Sequence, residues 1–157
     1  MWDFSSVTGI NVDDITILNP TINVNTPGNY PISLTLSNEC GTNTVNTTLE
    51  VFPEVTVTIG SPLDACANTQ INLSGTISDT NLTGLWTASV AGGTFSPDNS
   101  NLDVVYTPPL DYTGLITFTL TSSDPNGPCP EVSSQATIEW YPEANVDAGI
   151  YEPYCMN

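Results

Sequence analysis

Apolar side chains recur at every second position through most of the chain. Val55, Val57 and Ile59 alternate with threonine, and Ile116, Phe118 and Leu120 do the same. Leu102, Val104 and Tyr106 keep this spacing, as do Ala136, Ile138 and Trp140. Successive side chains of a strand point to opposite faces, so a period of two marks strands that bury one face and wet the other. The same reading places strands over Ile71–Ile77, over Leu82–Val90 and around Phe95, giving seven between 53 and 141. Ser61-Pro62, Ser96-Pro97, Pro108-Pro109 and Asp124-Pro125-Asn126-Gly127 punctuate them, because proline and glycine interrupt ladders and set turns. No segment has a period near 3.6, so no helix is expected. The predicted fold class is all-β, a two-sheet sandwich with Trp86, Ile116, Phe118, Leu120 and Ile138 in its core.

The pattern also repeats over a longer distance. Pro53-Glu54-x-x-Val57-x-x-Gly60 returns as Pro142-Glu143-x-x-Val146-x-x-Gly149, 89 residues later. Cys66 and Cys155, Cys40 and Cys129, and Glu50 and Glu139 keep the same separation. Trp2 matches Trp86 and Ile32 matches Ile116 at 84. The five-residue difference is assigned to one loop, short before Cys40 and long before Cys129, since insertions collect in hairpin loops. A period of this length is about one immunoglobulin-like sandwich. The expected organisation is the C-terminal part of one repeat over 1–52, a complete repeat over 53–141, and the first strand and turn of another over 142–157. Pro53-Glu54 and Pro142-Glu143 are the expected links.

Composition then removes most chemistry. The 157 residues include 17 Asp and Glu but no Lys, Arg or His, for a formal charge of −17. Without histidine there is no imidazole base or imidazole metal ligand. Without Lys or Arg there is no phosphate clamp, no Schiff base and no basic patch. Only a paired-carboxylate hydrolase survives formally, so the chain is not expected to be an enzyme. Nucleic acid is repelled and is not an expected partner. No segment is long and apolar enough to span a bilayer as a helix, so membrane insertion is not expected. Mutual repulsion of the carboxylates predicts that salt, divalent cations and mild acidification all stabilise the fold.

Several segments look familiar. Trp2-Asp3-Phe4, Asn19-Pro20-Thr21, the run from Pro27-Gly28-Asn29-Tyr30 through Leu36, and Cys40-Gly41 together resemble a PKD domain. Ser5-Ser6 stands where that family usually carries Gly-Asp. In the second repeat Trp86-Thr87-Ala88 takes the place of Trp-Asp-Phe. Tyr106-Thr107-Pro108 and Asp111-Tyr112-Thr113-Gly114 resemble the PKD-like repeats of giant surface adhesins of gliding Bacteroidota. One cysteine before the second strand and another before the last also fit those arrays. The resemblance implies an adhesin exported by the type IX system, attached at the outer membrane, exposed on the cell surface and used in gliding motility.

Cys40, Cys66, Cys129 and Cys155 are disulfide candidates in an extracellular-looking β protein. Cys66 with Cys129 would close a loop worth about 4 kcal/mol. Alternating strands put those two at opposite poles, which favours pairing of Cys66 with the equivalent of Cys129 in a following repeat. Both pairings remain open. Asp98, Asn99, Asn101 and Asp103 place oxygens at alternate positions as calcium loops do, but lack the glycine such loops need, and a solvated turn accounts for them better. No other cofactor is expected. The expected function is a structural spacer or stalk repeat of a long cell-surface or secreted adhesin or filament. Its partners would be neighbouring repeats of the same chain, with polysaccharide or surface ligands engaged through other regions. The alternative is a carbohydrate-binding accessory module of a secreted hydrolase, which needs an exposed aromatic platform.

Overall fold

The computed structural model describes residues 1–4, 8–60, 64–125, 127–147 and 149. Among these the chain is all β, with thirteen strands and no helix. It divides into two compact units, Met1–Glu54 with Asn126–Cys129, and Val55–Pro125 with Pro130–Asn157.

The first unit is built on a long hairpin. Strands β4 (Gly28–Asn38) and β5 (Gly41–Val51) pair antiparallel along their whole length. Asn38 Oδ1 accepts from the amides of Cys40 and Gly41 at 2.9 and 3.1 Å, which fixes the two-residue turn. Strand β1 (Trp2–Asp3) joins the other side of β4, so the sheet order is β1-β4-β5. Strands β2 (Ile10–Val12) and β3 (Ile22–Val24) form a separate antiparallel pair. The buried apolar residues are few: Phe4, Tyr30 and Ile32. Tyr30 also anchors its corner, its hydroxyl donating to the Thr26 carbonyl at 2.5 Å.

The second unit holds two four-stranded sheets. One has the order β10-β11-β8-β6, from β6 (Val57–Ile59), β8 (Ile71–Ile77), β10 (Thr94–Ser96) and β11 (Asp103–Thr107). The other is β7-β13-β12-β9, from β7 (Ala65–Cys66), β9 (Gly84–Ala88), β12 (Gly114–Ser122) and β13 (Ser133–Tyr141). Alternate residues of both sheets meet in one core. Trp86, Tyr106, Ile116, Phe118 and Leu120 are 0% exposed, and Ile138 and Trp140 are 1% exposed. The aromatic rings interlock edge to face, Tyr106 against Phe118 at 4.7 Å and 77°, the arrangement that aligns each ring's positive edge with its neighbour's negative face. Even the two tryptophan N–H groups are satisfied, Trp86 on the Leu102 carbonyl and Trp140 on that of Thr69, each at 3.2 Å.

Ladder register corrects the internal alignment. Trp2 lies opposite Leu34, and Trp86 lies opposite Leu120. Tyr30 lies opposite Leu49, and Ile116 lies opposite Ile138. The equivalent of Ile116 is therefore Tyr30, 86 residues earlier, and Ile32 takes the place of Phe118. Gly28 and Gly114 then coincide as the first residues of β4 and β12. The length difference is split, two residues between β1 and β4 and three between β4 and β5. A slip of two keeps every side chain on its face, so the apolar pattern alone does not detect it.

Two further features depart from the expected scheme. Strand β7 is an eighth strand in the second unit, running parallel to β13 with Ala65 and Cys66 opposite Trp140 and Tyr141. Two residues are too few to show a period. Residues 142–147, assigned to the start of a further repeat, hold no strand, and Val146 is 90% exposed. Ser5-Ser6, Ser61-Pro62, Asn126 and Cys155 lie outside the described residues.

Candidate functional site

The proposed calcium segment is a turn between β10 and β11. Asp98 Oδ1 accepts from the Ser100 amide at 2.8 Å, the Ser100 hydroxyl at 2.5 Å and the Asn101 side-chain amide at 3.0 Å. These bonds, led by that of the Ser100 hydroxyl, hold the Asp98 carboxyl below its usual value. Asn99 turns the other way. Its side-chain amide donates to the Trp86 carbonyl at 3.0 Å, and its own carbonyl accepts from the Trp86 amide at 2.8 Å. Asp103 begins β11 opposite Ser74. Asp98 thus serves a turn, Asn99 serves the strand carrying Trp86, and Asn101 presents nitrogen rather than oxygen to the carboxylate. Among the described residues no three His, Cys, Asp or Glu side chains gather where a metal could sit.

A second acidic loop, between β2 and β3, escaped the sequence reading. Asp13 Oδ1 accepts from the amides of Asp14 at 2.7 Å and Thr21 at 2.8 Å. Asp14 Oδ1 accepts from the Thr16 amide and hydroxyl at 2.8 and 2.6 Å. Both carboxyls lie below their usual values, Asp13 chiefly through the Asp14 amide and Asp14 chiefly through the Thr16 hydroxyl. An Asp-Asp-x-Thr run is the only signal the sequence carries for this, and it is a common turn composition.

Cys40, Cys66 and Cys129 are free thiols. Cys40 occupies the β4–β5 turn and Cys66 lies on β7. The candidate pairing of Cys66 with Cys129 is not formed.

An apolar cleft lies in the first unit. Met1, Trp2, Phe4, Val12 and Ile15 line a space of about 660 Å³ with Asp3 and Thr35. Trp2 stacks on Phe4 at 6.3 Å and 24°, and its indole N–H donates to the Ile17 carbonyl at 3.1 Å. In the second unit the tryptophans are buried and Tyr141 is the one large aromatic on the surface among the described residues. Its hydroxyl donates to Glu139 Oε2 at 2.7 Å, and that bond raises its pKa.

The solvated sheet faces are ladders of hydroxyls. Thr117 pairs with Thr137 at 3.0 Å, Thr35 with Thr44 at 2.9 Å and Thr58 with Thr76 at 2.6 Å. Such pairs stabilise neighbouring strands and leave few polar groups aimed outward at a ligand. No protein-family model and no curated protein matches this chain.

Proposed function

We propose that this chain is a stretch of tandem immunoglobulin-like, PKD-like repeats that acts as a spacer or stalk in a long cell-surface adhesin of a gliding bacterium, and that it catalyses nothing itself. The observation that carries this reading is the recurrence of one ladder in both units. Tryptophan-bearing β1 and β9 meet β4 and β12 in the same register, and β5 and β13 follow with the same partners. Repetition of a scaffold whose outer faces are hydroxyl ladders favours extension over recognition. The parallel pairing of β7 with β13 adds a mechanical reason. Tension applied through residues before β7 and after β13 loads that pair in shear, so its bonds must fail together.

Pulling single molecules by their ends tests the reading. The second unit is expected to open in an abrupt event. The Ala67 amide donates to the Tyr141 carbonyl at 2.7 Å, so Ala67→Pro, which removes that donor, is expected to lower the opening force. Gradual extension without a force peak would sink the stalk reading. The apolar cleft beside Trp2 favours the alternative of a carbohydrate-binding module. Retention on insoluble polysaccharide, lost in Trp2→Ala, would establish that alternative instead.

A further inference from the structure

Two tight turns of the second unit face each other. The Thr69 amide donates to the Cys66 carbonyl at 3.1 Å, closing a turn immediately after β7. The Tyr112 amide donates to the Pro109 carbonyl at 3.2 Å, closing another just before β12. Asn68 and Asp111 take the third position of these turns, with φ of +63° and +55°. Glycine is the usual residue there, because a Cβ crowds the backbone in the left-handed region. Among the described residues no other non-glycine residue has a positive φ. The two are bonded to each other across 43 positions of sequence. The Asp111 amide donates to Asn68 Oδ1 at 2.9 Å, and Asn68 Nδ2 donates to Asp111 Oδ1 at 3.0 Å.

The strand beside these turns has little else to hold it. Strand β7 is two residues long, and its parallel ladder meets only Trp140 and Tyr141. Just before it, the Asp64 carboxylate accepts from the Glu139 amide at 3.1 Å. Just after it, the Ala67 amide donates to the Tyr141 carbonyl, and the Thr69 carbonyl accepts from the Trp140 indole. Of residues 64–69 only Ala65 packs against the hydrophobic core, so the core loses little if they leave. A ladder this short holds only with outside support. A left-handed residue other than glycine likewise persists only where its surroundings over-determine it. Here the opposite turn supplies both: it fixes Asn68, and through Asn68 the end of β7.

We propose that the Asn68–Asp111 pair is the catch of a releasable strap. While it is closed, the turn after β7 is tied to the entry of β12, and β7 stays on β13. When it opens, both residues relax toward ordinary negative φ and the turn swings out. Residues 64–69 then leave β13 together, while the two sheets stay closed on their core. Asparagine and aspartate stand at these positions because the catch needs side chains, which glycine lacks. The value of such a device to a stalk rests on the function proposed above: tension that shears β7 from β13 must break the catch as well. The catch itself does not depend on that function.

Hydrogen exchange of the whole chain, followed amide by amide by NMR, tests this. The Ala67 amide reports the strap and the β12 amides report the core. Asn68→Gly keeps the left-handed turn and removes both bonds. It is expected to speed exchange at Ala67 about tenfold, with β12 exchange and circular dichroism unchanged. Asp111→Gly leaves the bond from its own amide to Asn68 and is expected to do less. The double variant is expected to match Asn68→Gly alone, since no bond remains for the second change to remove. Asp111→Asn keeps the acceptor oxygen and is expected to exchange as the native chain does. Should Asn68→Gly fail to fold, the comparison of Asp111→Gly with Asp111→Asn decides the same point. Exchange at Ala67 that is unchanged in Asn68→Gly, or that rises only together with β12, overturns the proposal. A strap that loosens in Asn68→Gly while the opening force under tension stays the same supports the catch and counts against the stalk alone.

Discussion

The hairpins β4–β5 and β12–β13 share an alternating sequence and the same ladder, yet they end in different environments. Ile116, Phe118, Leu120 and Ile138 are sealed between two sheets. Of their ladder counterparts Tyr30 and Ile32 are buried but Leu34 and Leu49 only half-buried, and further along the first hairpin Leu36 and Val45 are 63% and 64% exposed. Alternation is enough to make a strand. Sealing the whole apolar face needs a second sheet across from it, and among the described residues only the second unit has β8 and β11 to supply one. The local pattern therefore sets secondary structure in both units, whereas the large closed core among the described residues belongs to one.

Tryptophan truncation is the strongest way to break this contrast. Trp86→Ala is expected to cost about 3–5 kcal/mol, the range for a large aromatic removed from a closed core. Trp2, half-buried at the equivalent ladder position, is expected to cost about 1–2 kcal/mol, in proportion to the smaller area it hides. Urea unfolding followed by circular dichroism measures both, and the transition of the first unit is expected at the lower urea concentration. Equal losses would mean that the two units are equally consolidated.

A glycine sharpens the same point. Gly75 on β8 is buried, and a Cβ there would strike the Leu120 side chain and lie 3.2 Å from the Trp86 ring. Gly75→Ala is expected to destabilise the second unit by about 1–3 kcal/mol through overpacking. At Gly41, in the β4–β5 turn, nothing lies within 4 Å of the added atom. The added methyl there meets only its own backbone, whose φ of +149° disfavours it. A Gly75→Ala variant with an unchanged midpoint would show that the core has slack.

The strands were legible in the sequence because a half-buried strand must alternate, and Ile116-x-Phe118-x-Leu120 leaves no other reading. What was not legible followed from features without a period. The two-residue slip of Tyr30 against Ile116 keeps every face and so leaves no trace in the pattern. Ala65 and Cys66 form a strand only because β13 is there to receive them. Asp98 looked like a ligand because its neighbours are oxygen-bearing, but Ser100 and Asn101 offer donors as readily as acceptors, and a turn uses the donors. The acidic composition pointed to repulsion relieved by acid. At Asp13, Asp14 and Asp98 local amides and hydroxyls reverse that sign.

The pH response follows from those three carboxyls. Each is held below its ordinary value of 3.8 by hydrogen bonds to the ionised form. A depressed carboxyl contributes stability that is fully present above the unfolded value and is lost as pH falls through the folded one. Any gain from relieved repulsion is thus expected between neutrality and the carboxylate range, with a loss below about pH 4. Asp13→Asn is expected to flatten the acid limb for the first unit, and Asp98→Asn for the second. Thermal melts from pH 7 to 2 measure this, and continued stabilisation to the acid end would mean that repulsion outweighs the local bonds.

The smallest effect compares two tyrosine hydroxyls. In the first unit the Tyr30 hydroxyl donates to the Thr26 carbonyl and lies 2.6 Å from the Thr26 hydroxyl. In the second unit Tyr106 is wholly buried, and its hydroxyl has no hydrogen-bond partner among the described residues. Gly93 covers it so closely that a Cβ there would collide with the oxygen. Burial raises the phenol pKa, aided by the nearby Tyr112 phenol, so the group stays neutral throughout the physiological range. A buried hydroxyl without a partner forfeits its hydration for nothing, whereas a satisfied one contributes about 1 kcal/mol. Tyr30→Phe is therefore expected to destabilise by about 1 kcal/mol, and Tyr106→Phe to be neutral or to stabilise by up to about 1 kcal/mol. Both changes keep the ring and its packing, so the difference isolates the hydroxyl. If Tyr106→Phe destabilised as much as Tyr30→Phe, the hydroxyl would have to be bonded to a buried water beneath Gly93, and Gly93→Ala would then lose both the water and the fit.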